Sequence, residues 1–281
     1  MKPVNTMNIK EISSNLELSD SGIWFSSSTR AISYPKENNA ICFGIEDDSF
    51  WYAHRNKCIY KVVKHYSTRA PIFDIGGGNG VVSQELGKLG IETYLVEPGL
   101  AGIMNAQKRG LPHLICATFE DCGFYDNVLP AIGLFDLLEH IEQDMDFLRK
   151  IHNVLVKNGT LFITVPAYNF LWSNHDTQVG HLRRYTVHRL CRRLEQLDYH
   201  VEYATYLFGL LPIPIWLSRT LPGKLGLYKN VTPKLKRKEH QAHRAEFVSF
   251  ITWFLEKELT RIQSRKSLRF GSSCLVVARK I

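Results

Sequence analysis

The sequence predicts an α/β domain, a mostly parallel sheet with helices on both faces. Three observations carry this. Between Ala70 and Val165 short apolar runs alternate with amphipathic stretches, and strands separated by roughly ten to fifteen helical residues pair in parallel through right-handed crossovers. The first apolar run ends in the cluster Gly76-Gly77-Gly78-Asn79-Gly80, where a strand turns sharply into a helix. The balance of 44% hydrophobic and 22% charged residues is that of a globular chain, which excludes disordered, collagen-like and coiled-coil classes.

Taken in order, residues 49–56 (Ser-Phe-Trp-Tyr-Ala-His-Arg-Asn) predict a helix ahead of the sheet. Pro71 to Ile75 is the first strand, and Val81 to Leu89 the first core helix, with Val82, Leu86 and Leu89 at helical spacing. Ile91 to Val96 is the second strand, Gly99 to Arg109 the second helix, His113 to Ala117 the third strand and Leu129 to Phe135 the fourth. Phe147, Leu148, Ile151, Val154 and Leu155 mark one helix face, which Asn158-Gly159 is expected to stop before Leu161 to Val165 forms the fifth strand. Thr186 is placed to cap a helix carrying Leu190, Leu194 and Leu197. Tyr199 to Leu207 and Ser272 to Arg279 supply strands six and seven. Between them the chain is apolar (Phe208 to Leu217), then basic (Lys224 to Arg244), then helical (Glu246 to about Ile262). The expected organisation is an N-terminal segment with a cap helix (1–69), a core (70–208), an insertion (209–270) and a final core strand (271–281).

Partners and compartment follow from charge and cysteine usage. The chain carries a net +8, yet from Ala204 to Ile281 there are 15 Lys/Arg against 4 Asp/Glu. A basic C-terminal third on a near-neutral body predicts either a solvated face or a local anionic contact: a phosphorylated substrate, a membrane surface or nucleic acid. The six cysteines (42, 58, 116, 122, 191, 274) contain no C-x-x-C pair, so a reducing cytoplasm is expected and a disulfide framework or structural zinc is not. No apolar segment follows Met1 as a signal peptide would require, and the apolar run Leu207 to Leu217, interrupted by Pro212 and Pro214, is too short to span a bilayer.

The glycine turn and the acid after it predict a nucleoside ligand. Gly76, Gly78 and Gly80 form G-x-G-x-G. A dinucleotide fingerprint would place its last glycine where Val81 stands, and no G-K-[ST] follows to cradle a triphosphate, which argues against nicotinamide dehydrogenases and P-loop enzymes. Glu97, before Pro98 at the end of the second strand, is placed to accept hydrogen bonds from both hydroxyls of a ribose.

On these residues the sequence resembles the class I S-adenosylmethionine-dependent methyltransferases, from about Ala70 to Tyr199 with strand 272–279 completing the pattern. Asp74-Ile75-Gly76-Gly77-Gly78-Asn79-Gly80 looks like the family's first motif, beside the methionine part of S-adenosyl-L-methionine. Glu97 matches the ribose-binding acid. The run from Cys116 to Asp121 sits where the family contacts adenine; the common Gly-Asp is missing, leaving Thr118, Phe119 and Glu120 as alternatives. Phe135-Asp136-Leu137-Leu138-Glu139-His140 resembles the family's D-x-L-E-H segment, and Lys157-Asn158-Gly159-Thr160-Leu161 its K-P-G-G-x-L turn. The resemblance implies a Rossmann-like seven-stranded sheet ordered 3-2-1-4-5-7-6, its last strand antiparallel, and a cofactor site drawing also on Pro98, Phe135, Asp136 and Arg55.

A methyl acceptor is expected beyond strands four and five, since ligands of open α/β sheets collect at the carboxyl ends of the strands. Methyl transfer from a sulfonium is an in-line displacement, so alignment in a water-poor pocket dominates; for a hydroxyl acceptor a base adds about 10²–10⁴-fold. His181 and His140 are the candidate bases. Trp172, Arg183, Arg184 and Tyr185 are candidate acceptor-binding residues, the arginines for a phosphate or carboxylate. The G-H-x-R-R-Y run resembles a signature of one bacterial methyltransferase branch. Asp136, Glu139 and His140 share the i, i+3, i+4 spacing of a helical metal triplet, but D-x-L-E-H is common where no metal binds, and none is expected. The apolar run Leu207 to Leu217 beside Lys234, Lys236, Arg237, Lys238 and Arg244 is what a lid, a dimer interface or an interfacial membrane contact needs. The expected activity is O-methylation of a small or lipid-like acceptor, with peripheral contact at the inner membrane face. A nucleic-acid methyltransferase and a non-catalytic S-adenosylmethionine-binding scaffold are the alternatives.

Overall fold

A computed structural model describes residues 7–27, 43–44, 46–47, 49–67, 70–224 and 245–281, with side chains except at 224 and 245–250. The chain opens with α1 (Ile9–Ile12), β1 (Leu16–Leu18), β2 (Ile23–Ser26) and α2 (Phe50–Tyr66). The alternating core follows: β3 (Ile72–Ile75), α3 (Val81–Lys88), β4 (Thr93–Val96), α4 (Leu100–Lys108), β5 (Leu114–Cys116) and β6 (Leu129–Phe135). A 3₁₀ turn (Leu138–His140), α5 (Asp144–Val154), β7 (Leu155–Pro166), a second 3₁₀ turn (Asn169–Leu171), α6 (Asn174–Val179), α7 (Val187–Glu195) and β8 (Tyr199–Leu207) come next. Short α8 (Pro212–Ile215), a π turn (Trp216–Thr220) and α9 (Leu221–Lys224) precede α10 (Ala245–Gln263) and β9 (Ser273–Lys280).

All nine strands join one sheet, ordered β1-β2-β5-β4-β3-β6-β7-β9-β8. The seven expected strands are present in the expected order, and β9 runs antiparallel to both β7 and β8. The count of seven is corrected to nine. An N-terminal hairpin, Leu16 to Ser26, lays β2 parallel to β5 and so covers what would otherwise be an open sheet edge. Both strands of this hairpin lie ahead of the alternating stretch from Ala70 to Val165 on which the sequence reading rests.

A second correction concerns the turn before β7. The helix already ends at Val154, and the strand begins at Leu155; Asn158, with φ 62°, forms a kink inside the strand where its pairing with β6 shifts register. An Asn tolerates that left-handed conformation. Strands β3 and β4 are buried on both faces, as a parallel sheet between helix layers must be. Thr186 caps α7, its hydroxyl accepting from the Arg189 amide.

The insertion is tied to the core by a buried carboxylate. Glu258 of α10 accepts from the Phe208 and Gly209 amides, at 2.7 and 2.9 Å, and from His54 of α2 at 2.9 Å. His54 also meets Cys58 at 3.4 Å. Trp51 of α2 stacks on Phe208 with ring centroids 3.8 Å apart. The charge of Glu258 is therefore fully bonded, and this cluster fastens α10 and the end of β8 onto α2. Lys234, Lys236, Arg237, Lys238 and Arg244 lie outside the described residues, as do the side chains of Phe247 and Phe250. Among the described residues no helix is long and apolar enough to cross a membrane.

Candidate functional site

The glycine turn leaves β3 at the centre of the sheet. The Gly76 amide donates to Val96 of β4 at 2.7 Å, and the Gly80 amide closes the turn on Gly77 at 2.9 Å. Sterics divide the glycines by task. A Cβ at Gly77 would lie 2.2 Å from Leu95 and 2.7 Å from Asp74, so the turn can pack on the sheet only without one. Gly78 has φ +56° and nothing within 4 Å of its would-be Cβ, so it presents bare backbone to open space where a ligand can approach. Asn79 is buried; it donates to Glu46 at 3.1 Å and accepts from Asn105 at 3.0 Å, fixing the turn from its far side.

Glu97 meets this turn. Its carboxylate accepts from the Gly78 amide at 3.1 Å and from the Gly99 amide, at the start of α4, at 2.8 Å. The bend and the acid, a strand apart in sequence, are thus joined by a direct hydrogen bond. Pro98, next in the chain, is half-buried. Asp74 lies beneath the turn, fully buried. It accepts from Ser83 of α3 at 2.8 Å, and burial raises its carboxyl to about 6 despite that bond.

The other expected cofactor residues are distributed unevenly. Thr118 is half-exposed after β5, its hydroxyl accepting from Asp121 at 3.1 Å. Phe119 turns its ring into the core against Phe147, so only its backbone can serve a ligand. Glu120 pairs with Lys150 at 3.3 Å. Phe135 is also core, folded over Gly133. Asp136 stands at φ 57° just beyond β6, bonded to Thr164 at 2.9 Å and ion-paired with the buried Arg55 of α2.

Beyond β6 and β7, where the sequence reading expects the acceptor, two segments forty residues apart meet. The loop after α6 runs back along the turn after β6: the Leu182 amide donates to the Glu139 carbonyl at 2.8 Å, and Tyr185 exchanges backbone bonds with Pro166 and Tyr168. His140 and His181 come together with ring centroids 4.9 Å apart. His140 donates through Nδ1 to the Gly180 carbonyl at 3.1 Å; burial and the neighbouring imidazole lower it to about 4. His181 Nδ1 bonds Asp176 at 2.8 Å, and its Nε2 lies 3.8 Å from Glu139.

Asp176 is a residue for which the sequence assigned no role. It is fully buried and closes a capping box with Ser173. It also receives both Nε (2.8 Å) and Nη2 (3.1 Å) of Arg184. Burial alone would raise its carboxyl, but the bonds from His181 and Arg184 outweigh that and hold it well below the usual carboxylate range. The one signal in sequence was the Ser-x-x-Asp spacing of Ser173 and Asp176.

Two of the expected acceptor-binding residues are bonded within the loop itself. Arg184 is committed to Asp176 and the Ala167 carbonyl, and Tyr185 is buried with its hydroxyl on Asp144 at 2.8 Å. Both brace the loop from inside. Arg183 reaches Asp144 at 3.1 Å but stays a quarter exposed, and Trp172 is half-buried. Asp136, Glu139 and His140 do not lie on one α-helix, because Leu138–His140 is a 3₁₀ turn and Asp136, ion-paired with Arg55, precedes it.

Comparison with known proteins agrees with the fold. Residues 54–204, just over half of the chain, match a family model described as a methyltransferase domain. A SAM-dependent methyltransferase from Archaeoglobus fulgidus superposes with a TM-score of 0.50 at 16% identity, covering 80% of this chain and 94% of that one. One from Thermotoga maritima gives 0.53 at 14% identity, covering 88% and 100%. The plantazolicin methyltransferase BamL gives 0.52 at 14% identity, covering 88% and 92%. No curated protein matches the sequence.

Proposed function

We propose that this chain, which belongs to the methyltransferase-domain family and takes S-adenosylmethionine as its cofactor, methylates a hydroxyl on a small, apolar or lipid-like acceptor. The cofactor would lie along the carboxyl ends of β3, β4 and β5. Gly76, Gly78 and Gly80, set by Asp74 and Asn79, would carry its methionine part, with Arg55 and Asp136 beside the carboxylate and amine. Glu97 and Pro98 would carry the ribose, and the backbone of Thr118, Phe119 and Glu120 the adenine, with Phe135 packed behind.

The observation that carries the acceptor side is the Asp176–His181 pair. A buried carboxylate 2.8 Å from Nδ1 fixes the tautomer in which Nε2 bears the lone pair. That nitrogen faces the cluster at the ends of β6 and β7, where a sheet of this kind seats its substrate. An alcohol needs its proton removed as the methyl carbon arrives; a neutral amine does not. His181, with His140 beside it, is suited to the first case. Trp172 and Arg183 would line the approach.

The apolar character of the acceptor rests on the insertion. Thr220 hydrogen-bonds to Leu171 in the acceptor loop at 3.1 Å, while Leu210, Ile213, Trp216 and Leu217 are left exposed. A cover that is apolar on its outer side fits a lid that also touches a bilayer. Labelled methyl transfer into lipid and aqueous extracts, followed by mass spectrometry, tests the reading. An O-methylated product that disappears with His181→Ala, at unchanged S-adenosylhomocysteine affinity, is expected. Methylation at nitrogen, or full turnover in that variant, would refute it.

A further inference from the structure

Glu139 is the group that the methyl-transfer chemistry leaves unexplained. Its side chain is fully buried, yet neither carboxylate oxygen has a hydrogen-bond partner. A buried carboxylate without a partner is costly, and native structures hold one only where a proton or a cation neutralises it. The nearby arginines are already committed, Arg55 to Asp136 and Arg184 to Asp176. With both guanidinium groups committed, Glu139 is left for a proton or a cation to neutralise.

The residues around that charge have the form of a ligand set. One ligand atom each from Glu139, His140 and His181 lie within 4.8 Å of one another. Glu139 Oε1 and His181 Nε2 are 3.8 Å apart, whereas bonds of about 2.1 Å at tetrahedral angles put ligand atoms about 3.4 Å apart. Small side-chain rotations close the difference. Each imidazole is also held as a metal ligand is held, donating its other nitrogen's proton: His140 to the Gly180 carbonyl at 3.1 Å, His181 to Asp176 at 2.8 Å. The second cluster of such residues, His54, Cys58 and Glu258, is different, because both oxygens of its carboxylate are already satisfied by amides and His54.

We propose that Glu139, His140 and His181 bind a divalent transition-metal ion, with coordination positions left open toward the acceptor. Two imidazole nitrogens and one carboxylate oxygen suit zinc, cobalt or iron(II) better than magnesium, which prefers an all-oxygen shell. For the use of this ion the inference rests on the hydroxyl-acceptor reading above. An alcohol oxygen seated on the ion gives its proton to solvent more readily, and the alkoxide then bonds the methyl carbon as the carbon–sulfur bond breaks, releasing a neutral thioether. In that case His181 holds the ion and the ion does the acidifying.

The test is metal binding by the full chain, read without turnover. Metal-free protein is titrated with Zn²⁺ by calorimetry, with Mg²⁺ and the exposed-histidine variant His200→Ala as controls, and with Co²⁺ by visible absorption. One equivalent of Zn²⁺ is expected, with affinity at least 100-fold weaker in Glu139→Gln and His181→Ala and 10–100-fold weaker in Asp176→Asn. His200→Ala should bind as the wild type does. Affinity for S-adenosylhomocysteine reports that each variant is folded; should Glu139→Gln fail that check, His181→Ala and His140→Ala decide. Absence of Zn²⁺ uptake by the wild type, or equal uptake by the folded variants, overturns the inference. If the wild type binds no metal but still loses O-methylation with His181→Ala, the metal site falls while the base reading stands.

Discussion

Replacing Asp176 by alanine should destabilise the protein and stop its chemistry together. The carboxylate has no exposure, and it holds the Arg184 guanidinium, itself about one-tenth exposed, by two bonds near 3 Å. Removing one partner of a buried ion pair leaves the other charge desolvated, which costs about 3–5 kcal/mol. For a chain of this size that lowers the melting temperature by on the order of 10 °C. Because bonding to His181 and Arg184 depresses the Asp176 carboxyl in the folded state, its stabilisation is complete above the unfolded value near 4 and is lost as pH falls through the folded value. Melting at neutral pH therefore reads the full effect. Asp176→Asn, which keeps an acceptor for the Ser173 amide now bonded at 2.9 Å, should lose less. Both variants should lose turnover as severely as His181→Ala, since the imidazole is no longer held in one tautomer. A melting temperature within about 2 °C of wild type for Asp176→Ala, on the same size scaling, would refute the placement of this carboxylate as the hub of the loop.

Other outcomes follow from the same geometry. Glu97→Ala should weaken S-adenosylhomocysteine binding in calorimetry by at least about tenfold, because the acid orders the Gly78 and Gly99 amides as well as facing the ribose. Gly77→Ala should cost about 1–3 kcal/mol in urea unfolding through its clash with Leu95, whereas Gly78→Ala, which meets no clash, should cost about 1–2 kcal/mol through its positive φ and also reduce cofactor affinity. Asp74 has a folded value raised to about 6 by burial, so its contribution to stability is greatest below pH 4 and is lost as pH rises to 6. Urea titrations should show wild type losing about 3 kcal/mol relative to Asp74→Asn across that interval; parallel curves would exclude it. Flotation with anionic liposomes should weaken with added salt and with Ile213→Glu/Leu217→Glu, and no flotation at all would leave the insertion as a lid or a dimer interface.

The cofactor half of the site was legible because it is local. A strand, a glycine turn and a helix are contiguous from Ile72 to Lys88, and Glu97 follows within one further strand, so spacing along the chain reports proximity in space. The acceptor half was legible only as a collection of chemically capable residues. His181 and His140 are forty-one positions apart, and nothing in composition says that the Leu182 amide would dock on Glu139 or that Arg184 would face inward. Residue type alone marked Arg184 and Tyr185 as candidate substrate contacts; only the fold shows their bonds to Asp176 and Asp144.

By itself the sequence determined the α/β class and the position of the glycine turn, because hydrophobic period and glycine placement act over short stretches of chain; the order of the seven core strands came from the family resemblance. Tertiary structure alone decided that a short N-terminal hairpin seals the β5 edge, that Asp176 orients His181, and that Glu139 is left as a buried carboxyl without a hydrogen-bond partner beside two imidazoles. Those facts depend on which polar groups lose their water when distant segments pack together, and that desolvation exists only once the chain has folded.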